Sequence, residues 1–214
     1  MDQRILSLAV LLGLTLTGCA EDDSVEAVNQ CKSFIGDEKY SDAIPLCEKA
    51  CNLNNGNGCH SLGTLYVYGM GVEIDFNKAK TYYERACNLD NGVGCGGLGL
   101  LYNEGNGVKR DYSQAKTYYE KSCDLDDSMG CSLLGSLYHE GKGVNQDFQQ
   151  AKIYYEKSCN LDNSYGCIAL GTLYQNGQGL RQDFTTAKQY YGKACDFGYQ
   201  YGCDAYRKLN EKGY

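Results

Sequence analysis

Apolar and glycine positions recur along this chain with a period of 36 residues. In the stretch that begins at Cys59, Leu62, Leu65 and Tyr66 stand at i, i+3 and i+4, which places their side chains on one face of an α-helix. Copies of this stretch begin at Cys95, Cys131 and Cys167. The pattern predicts a repeat protein in which a short helix recurs in every unit.

A second segment of each unit follows a Gly-x-Gly sequence and has its own helical pattern. Phe76, Ala79 and Tyr83 lie on one side, and charged residues lie mostly on the other. Asp75 precedes the segment at the position of a helix N-cap, as do Asp111, Asp147 and Asp183 in the other units. Each unit is therefore predicted to be two helices joined by a glycine turn.

Gly63 and its equivalents lie inside the first predicted helix, where glycine costs about 0.5–1 kcal/mol relative to alanine. A cost that recurs in every unit indicates a recurring need for space. We expect the missing side chain to let the first helix approach Ala79 or a tyrosine ring of the second helix.

The N-terminal segment has the features of an export signal. An apolar run from Ile5 to Thr17 is too short for an ordinary transmembrane helix. It ends in Leu-Thr-Gly followed by Cys19, which resembles the lipobox of bacterial lipoproteins, in which the cysteine carries the lipid. Ordinary cleavage after Ala20 is the alternative. Either route predicts export, to the periplasm, to the outer membrane or cell surface as a lipoprotein, or into the medium.

The sequence divides into consecutive segments, from a predicted signal to a predicted C-terminal cap. The predicted segments are a signal peptide (1–18), an acidic tether (19–26), an N-terminal capping hairpin (27–58), repeats (59–94, 95–130, 131–166, 167–202) and a C-terminal capping helix (203–214).

The chain has 13 cysteines, and 12 remain for pairing when Cys19 is removed or lipidated. Ten of them form C-x7-C pairs, each of which links the end of one unit to the start of the next, and the remaining two are paired across the N-terminal hairpin. The predicted disulfides are Cys31–Cys47, Cys51–Cys59, Cys87–Cys95, Cys123–Cys131, Cys159–Cys167 and Cys195–Cys203. Such a framework is typical of an oxidising compartment.

A zinc site is the competing interpretation of Cys47, Cys51, Cys59 and His60, but zinc sites favour shorter C-x2-4-C spacings. We therefore predict no metal and no cofactor. The net charge of −7 and the absence of a basic run interleaved with aromatics argue against a nucleic-acid partner. The only expected attachment to a membrane is a lipid on Cys19, and the protein is expected to be a monomer.

Four motifs carry a family resemblance: Leu-Gly-x-Leu-Tyr, Gly-x-Gly-Val, Asp-Phe-x-x-Ala-Lys and Tyr-Tyr-Glu-Lys-x-Cys. Over residues 24–214 the chain resembles Sel1-like repeat proteins, which are relatives of tetratricopeptide repeats. The 36-residue period combined with C-x7-C is similar to the Helicobacter cysteine-rich proteins, exported proteins classed as β-lactamases. The resemblance implies an all-α fold, a right-handed α/α superhelix cross-linked by disulfides. It also implies an enzyme that binds and slowly hydrolyses penicillin-type β-lactams, or a protein that binds the peptidoglycan they resemble.

No catalytic residue can be assigned from the sequence. Ser113 and Lys116 form a Ser-x-x-Lys, the start of the serine β-lactamase signature, but the lysine recurs in every unit and the serine does not. The two histidines, His60 and His139, do not form a metal motif.

The alternative function is a non-catalytic adaptor that binds an extended peptide, a protein or a peptidoglycan fragment. In tetratricopeptide-like arrays the first helices line the concave surface, so first-helix positions that vary between units are candidates for contact with a ligand. They are Thr64, Tyr68, Asn103, Glu104, His139, Glu140, Gln175 and Asn176. The competing interpretation is that these side chains are exposed and unconstrained.

Overall fold

The computed structural model describes residues 23–214, and within that range all regular structure is α-helical. Helix α1 spans residues 23–36. The other helices are α2 (Tyr40–Asn52), α3 (Gly56–Tyr68), α4 (Phe76–Asn88), α5 (Gly92–Glu104), α6 (Tyr112–Asp124), α7 (Ser128–Glu140), α8 (Phe148–Asn160), α9 (Ser164–Asn176), α10 (Phe184–Asp196) and α11 (Gln200–Glu211). The predicted all-α fold of helix pairs is confirmed. We call α3, α5, α7 and α9 the first helices, and α4, α6, α8 and α10 the second helices.

The chain divides into two compact units, one that ends at Gly97 and one that spans Leu98–Tyr214. In the first unit, α2 packs against α3 and α3 against α4. In the second unit, each helix from α6 to α11 packs against the next one in sequence. None of the helices in residues 23–214 is long and apolar enough to span a membrane.

The second helices begin at the predicted aspartate caps. The Asp147 carboxylate, for example, accepts hydrogen bonds from the backbone amides of Gln149 and Gln150 at 2.9 and 3.0 Å. Asp75, Asp111 and Asp183 cap the other second helices in the same way. Each carboxylate satisfies amides of the first helical turn that have no partner within the helix.

The glycines inside the first helices make room for tyrosine rings. A Cβ atom on Gly63 would lie 2.4 Å from Cε1 of Tyr83, and one on Gly135 would lie 2.7 Å from Cδ1 of Tyr155. Gly99 faces Tyr119 and Gly171 faces Tyr191 in the same manner. The expected close approach is confirmed, and its partner is the tyrosine ring.

Disulfides link helices that are consecutive in the chain: the Cys31–Cys47 bridge joins α1 to α2, and each C-x7-C bridge closes the short turn between two later helices. Residues 23–214 contain six disulfides: Cys31–Cys47, Cys51–Cys59, Cys87–Cys95, Cys123–Cys131, Cys159–Cys167 and Cys195–Cys203. These are the pairs expected from the sequence. The five C-x7-C bridges have Cα–Cα distances of 4.5–4.7 Å. Their cysteines are buried, except that Cys195 and Cys203 are partly exposed.

Helix α1 already includes residues 23–26, which the sequence analysis assigned to the acidic tether. The expected signal peptide and lipidated Cys19 lie outside the described residues. The segment boundaries, the export route and the lipid anchor therefore remain predictions.

Candidate functional site

The second unit contains a pocket of about 390 Å³ on the surface of its first helices. Most of its lining comes from α7 and α9, and α8 contributes Tyr155. The lining residues are Met129, Ser132, Leu133, Ser136, Tyr155, Tyr165 and Ala169. The volume lies near the lower end of the range for ligand pockets.

Two large side chains stand at the rim of this pocket. Met129 and Tyr165 occupy the same position of consecutive units, the second residue of α7 and of α9. They are 45% and 53% exposed, although each has a large apolar surface. Tyr165 also meets Tyr199, with the two ring centroids 5.4 Å apart and the hydroxyl oxygens 3.3 Å apart. Exposed side chains of this size in a concave site are typical of ligand contacts.

The chemistry of the pocket is neutral. Its lining contains no carboxylate, ammonium or imidazole, and its polar groups are the hydroxyls of Ser132, Ser136, Tyr155 and Tyr165. Burial raises the pKa of Tyr155, and this effect outweighs the hydrogen bond with Ser136, which lowers it. The phenol therefore stays neutral and can donate or accept a hydrogen bond, so the arrangement suits an uncharged, partly apolar group.

The candidate side chains at the end of α7 do not line this pocket. Glu140 accepts hydrogen bonds from Ser136 at 2.9 Å and from Lys142 at 2.5 Å. The bond from Lys142 lowers the pKa of Glu140. His139 packs edge-on against Phe148, with ring centroids 5.4 Å apart. Both residues hold the glycine loop and the following helix in place.

The equivalent positions of the other first helices have similar local roles. The backbone carbonyl of Glu104 accepts from Arg110, and that of Gln175 accepts from Gln182 at 2.7 Å. The amide of Asn176 lies 3.5 Å from Gln178. These residues end their first helices and bond the turn that follows.

Three candidate residues remain. The Thr64 hydroxyl lies 3.2 Å from the Tyr83 hydroxyl and is part of the packing between α3 and α4. Tyr68 is 65% exposed, and Asn103 is half-buried. The structure thus does not bring the candidates into one site, although Ser136, which shares the repeat position of Thr64, lines the pocket.

The sequence analysis missed Met129, Leu133, Tyr165 and Ala169. A signal was present, because one first-helix position holds Val93, Met129 and Tyr165 in successive units. A large apolar residue that varies at a fixed position, just before the buried glycine and cysteine, could have indicated an exposed contact surface.

Ser113 and Lys116 do not form a nucleophile and base. Ser113 is exposed in the first turn of α6, and the ammonium of Lys116 lies 2.5 Å from the Glu120 carboxylate. That hydrogen bond raises the pKa of Lys116, so the lysine keeps its proton and cannot accept one from a serine. Within residues 23–214, no three histidine, cysteine or acidic side chains are grouped to hold a metal ion.

The repeats themselves decide the family. The Sel1 repeat model matches residues 56–91, 93–127, 128–163 and 164–199, about two thirds of the chain. The chain belongs to the Sel1 repeat family. Each match begins at or close to the start of a first helix, about three residues before the repeat boundaries predicted from the cysteines.

Solved structures and a curated relative agree with this assignment. A Sel1 repeat protein from Oxalobacter formigenes superimposes with a TM-score of 0.73 at 27% identity, over 80% of this chain and 70% of that chain. Cysteine rich protein B (HcpB) of Helicobacter pylori is 39% identical, with a TM-score of 0.50 over 61% of this chain and 92% of that chain. HcpC of Helicobacter pylori, provisionally named a β-lactamase, is 42% identical over 76 residues.

The match to HcpC covers 35% of this chain and 25% of that protein. The resemblance to the Helicobacter cysteine-rich proteins is thus confirmed. The similarity to HcpC, however, covers only a short segment of each protein.

Proposed function

We propose that this protein is an exported binding protein that holds an uncharged, apolar segment of a partner polypeptide. The observation that carries the proposal is the neutral pocket between α7 and α9, whose rim exposes Met129 and Tyr165. An apolar side chain of the partner would fill the space beside Leu133 and Ala169. Hydroxyls of Ser132 and Ser136 would bond the peptide backbone next to it.

The test uses short peptides whose blocked termini carry no charge. Acetylated and amidated tripeptides with a central leucine, phenylalanine or lysine would be titrated into the disulfide-bonded protein and followed by ligand-observed NMR. The leucine and phenylalanine peptides should bind and the lysine peptide should not, because no charged residue lines the pocket and the nearby Glu140 carboxylate is already paired with Lys142. Binding of all three alike would contradict the proposal.

Variants then assign the binding to the pocket. Leu133→Ser removes an apolar wall and should weaken binding of the phenylalanine peptide. Ile153→Ser is the matched control, because Ile153 is 53% exposed on α8 and does not line the pocket. Equal effects of the two variants would mean that the peptide binds elsewhere. Far-UV circular dichroism would verify that both variants are folded.

A second candidate function is slow hydrolysis of β-lactams, and it is favoured by the similarity to HcpC. The same pocket could hold a penicillin, and the hydroxyls of Ser132 and Ser136 would be the available nucleophiles. The Glu140 carboxylate accepts a hydrogen bond from the Ser136 hydroxyl, but it is also paired with Lys142, which lowers the pKa of Glu140 and makes it a poor base. This favours binding over hydrolysis.

Mass spectrometry separates the two candidates. Benzylpenicillin would be incubated with the protein, and both the drug and the protein would be weighed. Drug that gains the mass of one water in proportion to protein, with loss of the effect in Ser136→Ala or Ser132→Ala, would support hydrolysis. Unchanged drug and unmodified protein would leave binding as the function.

Export and anchoring are part of the proposal. Six disulfides are typical of proteins in oxidising compartments. A lipid on Cys19 would tether the repeats to a membrane, whereas cleavage after Ala20 would release them. Cys19→Ser should abolish labelling with radioactive palmitate if the lipid is present.

A further inference from the structure

The first unit contains a different pocket, of about 450 Å³, formed by α2, α3 and α4. Unlike the neutral pocket of the second unit, it is lined by charged residues of both signs and by two tyrosines. Its lining residues are Glu48, Tyr66, Asn77, Lys78, Thr81 and Tyr82. We call it the Glu48 pocket.

The later repeats show which group normally satisfies the glutamate at this position. On each of α4, α6 and α8, a lysine one turn earlier pairs with the equivalent glutamate. The pairs are Lys80–Glu84 at 2.7 Å, Lys116–Glu120 at 2.5 Å and Lys152–Glu156 at 2.9 Å.

The second unit shows a further contact of that lysine. The ammonium of Lys116 bonds the Glu120 carboxylate and also interacts with the hydroxyl of Tyr138, on the next first helix. Lys152 makes the corresponding contacts with Glu156 and Tyr174. In both repeats the ammonium group is thus bonded to a glutamate, and a tyrosine hydroxyl of the next first helix lies near enough to help raise the pKa of the lysine.

On α2 this ammonium is missing. Ile44 stands one turn before Glu48, at the position of the pairing lysine. Glu48 forms no ion pair within residues 23–214, and it is half-buried. Tyr66, which has the repeat position of Tyr138, lines the same pocket. The space between Glu48 and Tyr66 therefore presents a carboxylate and a phenol without the cation that their equivalents bind.

A lysine has been gained on the other side of the pocket. Lys78 stands at the position that Gln114 and Gln150 have in the next two repeats. Its ammonium lies 5.0 Å from the ring centroid of Tyr66 and forms no ion pair in the described part of the chain. The rings of Tyr66 and Tyr82 stack at 5.7 Å and 8° to form an apolar wall. The Glu48 pocket thus combines an unpaired carboxylate, an unpaired ammonium and an aromatic surface.

We propose that the Glu48 pocket binds a small zwitterion, a free α-amino acid. The α-ammonium would occupy the lysine position between Glu48 and the Tyr66 hydroxyl, and the α-carboxylate would bond Lys78. The side chain would lie against the stacked tyrosines, where an aliphatic group contacts apolar surface. This site is independent of the peptide-binding pocket proposed above, because the two lie in different units and share no residue.

Binding would be measured with L-leucine as the probe, by saturation-transfer NMR on the full disulfide-bonded protein. Two derivatives remove one charge each: N-acetylleucine lacks the ammonium, and leucinamide lacks the carboxylate. We expect L-leucine to bind and each derivative to bind roughly fivefold more weakly, because exposed charge pairs contribute up to about 1 kcal/mol. Failure of L-leucine to bind, or equal binding of N-acetylleucine, would overturn the proposal.

Variants of the pocket locate the site. Glu48→Gln and Lys78→Gln should each weaken binding of L-leucine by roughly fivefold, for the same reason. Lys78→Gln also introduces the residue that the next two repeats have at this position, so the variant is expected to keep the fold of the repeat. Glu120→Gln is the matched control, because it removes the equivalent carboxylate from another repeat, and it should leave binding unchanged.

A final variant introduces the lysine–glutamate pair that α4, α6 and α8 have. Ile44→Lys should place an ammonium beside Glu48 and block the ligand, with melting followed by circular dichroism to verify the fold. If Glu48→Gln and Glu120→Gln had equal effects, L-leucine would bind outside the Glu48 pocket and the inference would be wrong. None of these results would affect the assay with blocked peptides.

Discussion

The hydroxyl of Tyr119 offers the sharpest test of how the repeats are held together. Among the described residues it is the buried side-chain polar atom that has no hydrogen-bond partner, and the residue is 1% exposed. Tyr191 occupies the same position two repeats later, and its hydroxyl lies 3.3 Å from Oγ1 of Thr172. Leu100 has the position of that threonine in the unit of Tyr119, and a leucine offers no hydrogen bond.

Removing the two hydroxyls should therefore have opposite effects. A buried polar group without a partner costs about 1–3 kcal/mol, whereas a satisfied hydrogen bond contributes about 1 kcal/mol. Tyr119→Phe keeps the ring that packs on Gly99 and removes the unsatisfied oxygen, so it should raise the free energy of unfolding by about 1 kcal/mol. Tyr191→Phe should lower it by about 1 kcal/mol, because it breaks the bond to Thr172.

Leu100→Thr extends the test to a double-mutant cycle. The threonine loses apolar contact with the cluster around Tyr119, so its own effect on stability combines a loss and a gain. The informative quantity is the coupling with Tyr119→Phe. In the Leu100→Thr background the hydroxyl has a partner, so Tyr119→Phe should become destabilising, with a coupling energy of about 1 kcal/mol.

The assay is urea unfolding of the oxidised proteins, followed by far-UV circular dichroism. If Tyr119→Phe were as destabilising as Tyr191→Phe, the Tyr119 hydroxyl would have to be hydrogen-bonded, and the reasoning from Leu100 would be refuted. Zero coupling with Leu100→Thr would refute the specific pairing.

Further predictions concern the tight packing, the exposed bridge and the buried phenols. Gly135→Ala should destabilise by about 1 kcal/mol, because overpacking against the Tyr155 ring outweighs the gain in helix propensity, whereas Gly192→Ala should not destabilise in the same urea assay. During graded reduction and alkylation, mass spectrometry should find Cys195 and Cys203 labelled first, because the other ten paired cysteines are buried. Burial raises the pKa of Tyr155, so stability should be constant below the unfolded pKa of about 10 and fall above it. If Tyr155→Phe lost as much stability above about pH 10 as the unchanged protein, this reasoning would be wrong.

The repeat period and the cysteine spacing were sufficient to predict the helix pairs and the bridges. Gly63 is informative because glycine, which destabilises the interior of a helix, recurs at this position. One structural feature explains it, the ring of Tyr83. The C-x7-C spacing is informative because a short αα turn brings its two ends together, here with Cα atoms 4.6 Å apart in Cys51–Cys59. Local constraints of this kind are readable without tertiary information.

The candidate site could not be predicted in the same way. Variability between units selected His139 and Glu140, but in the structure these side chains secure the turn after α7. A variable polar residue at the end of a helix can serve its own loop or a ligand, and the sequence pattern is the same for both. Whether Met129 and Tyr165 flank one pocket depends on how neighbouring first helices pack, which spacing alone does not determine.

Repetition also allows the Glu48 pocket to be tested by transplantation. The second unit already has Glu120, Tyr138 and Tyr154 at the corresponding positions, with Tyr138 and Tyr154 stacked at 5.6 Å. It differs by the lysine that fills the site, Lys116, and by Gln150 in place of Lys78. Combining Lys116→Ile with Gln150→Lys should create a second site, so that saturation titration with L-leucine yields two equivalents per chain. One equivalent would show that the missing lysine and the added lysine are not enough, and that the binding of an amino acid depends on features particular to the first unit.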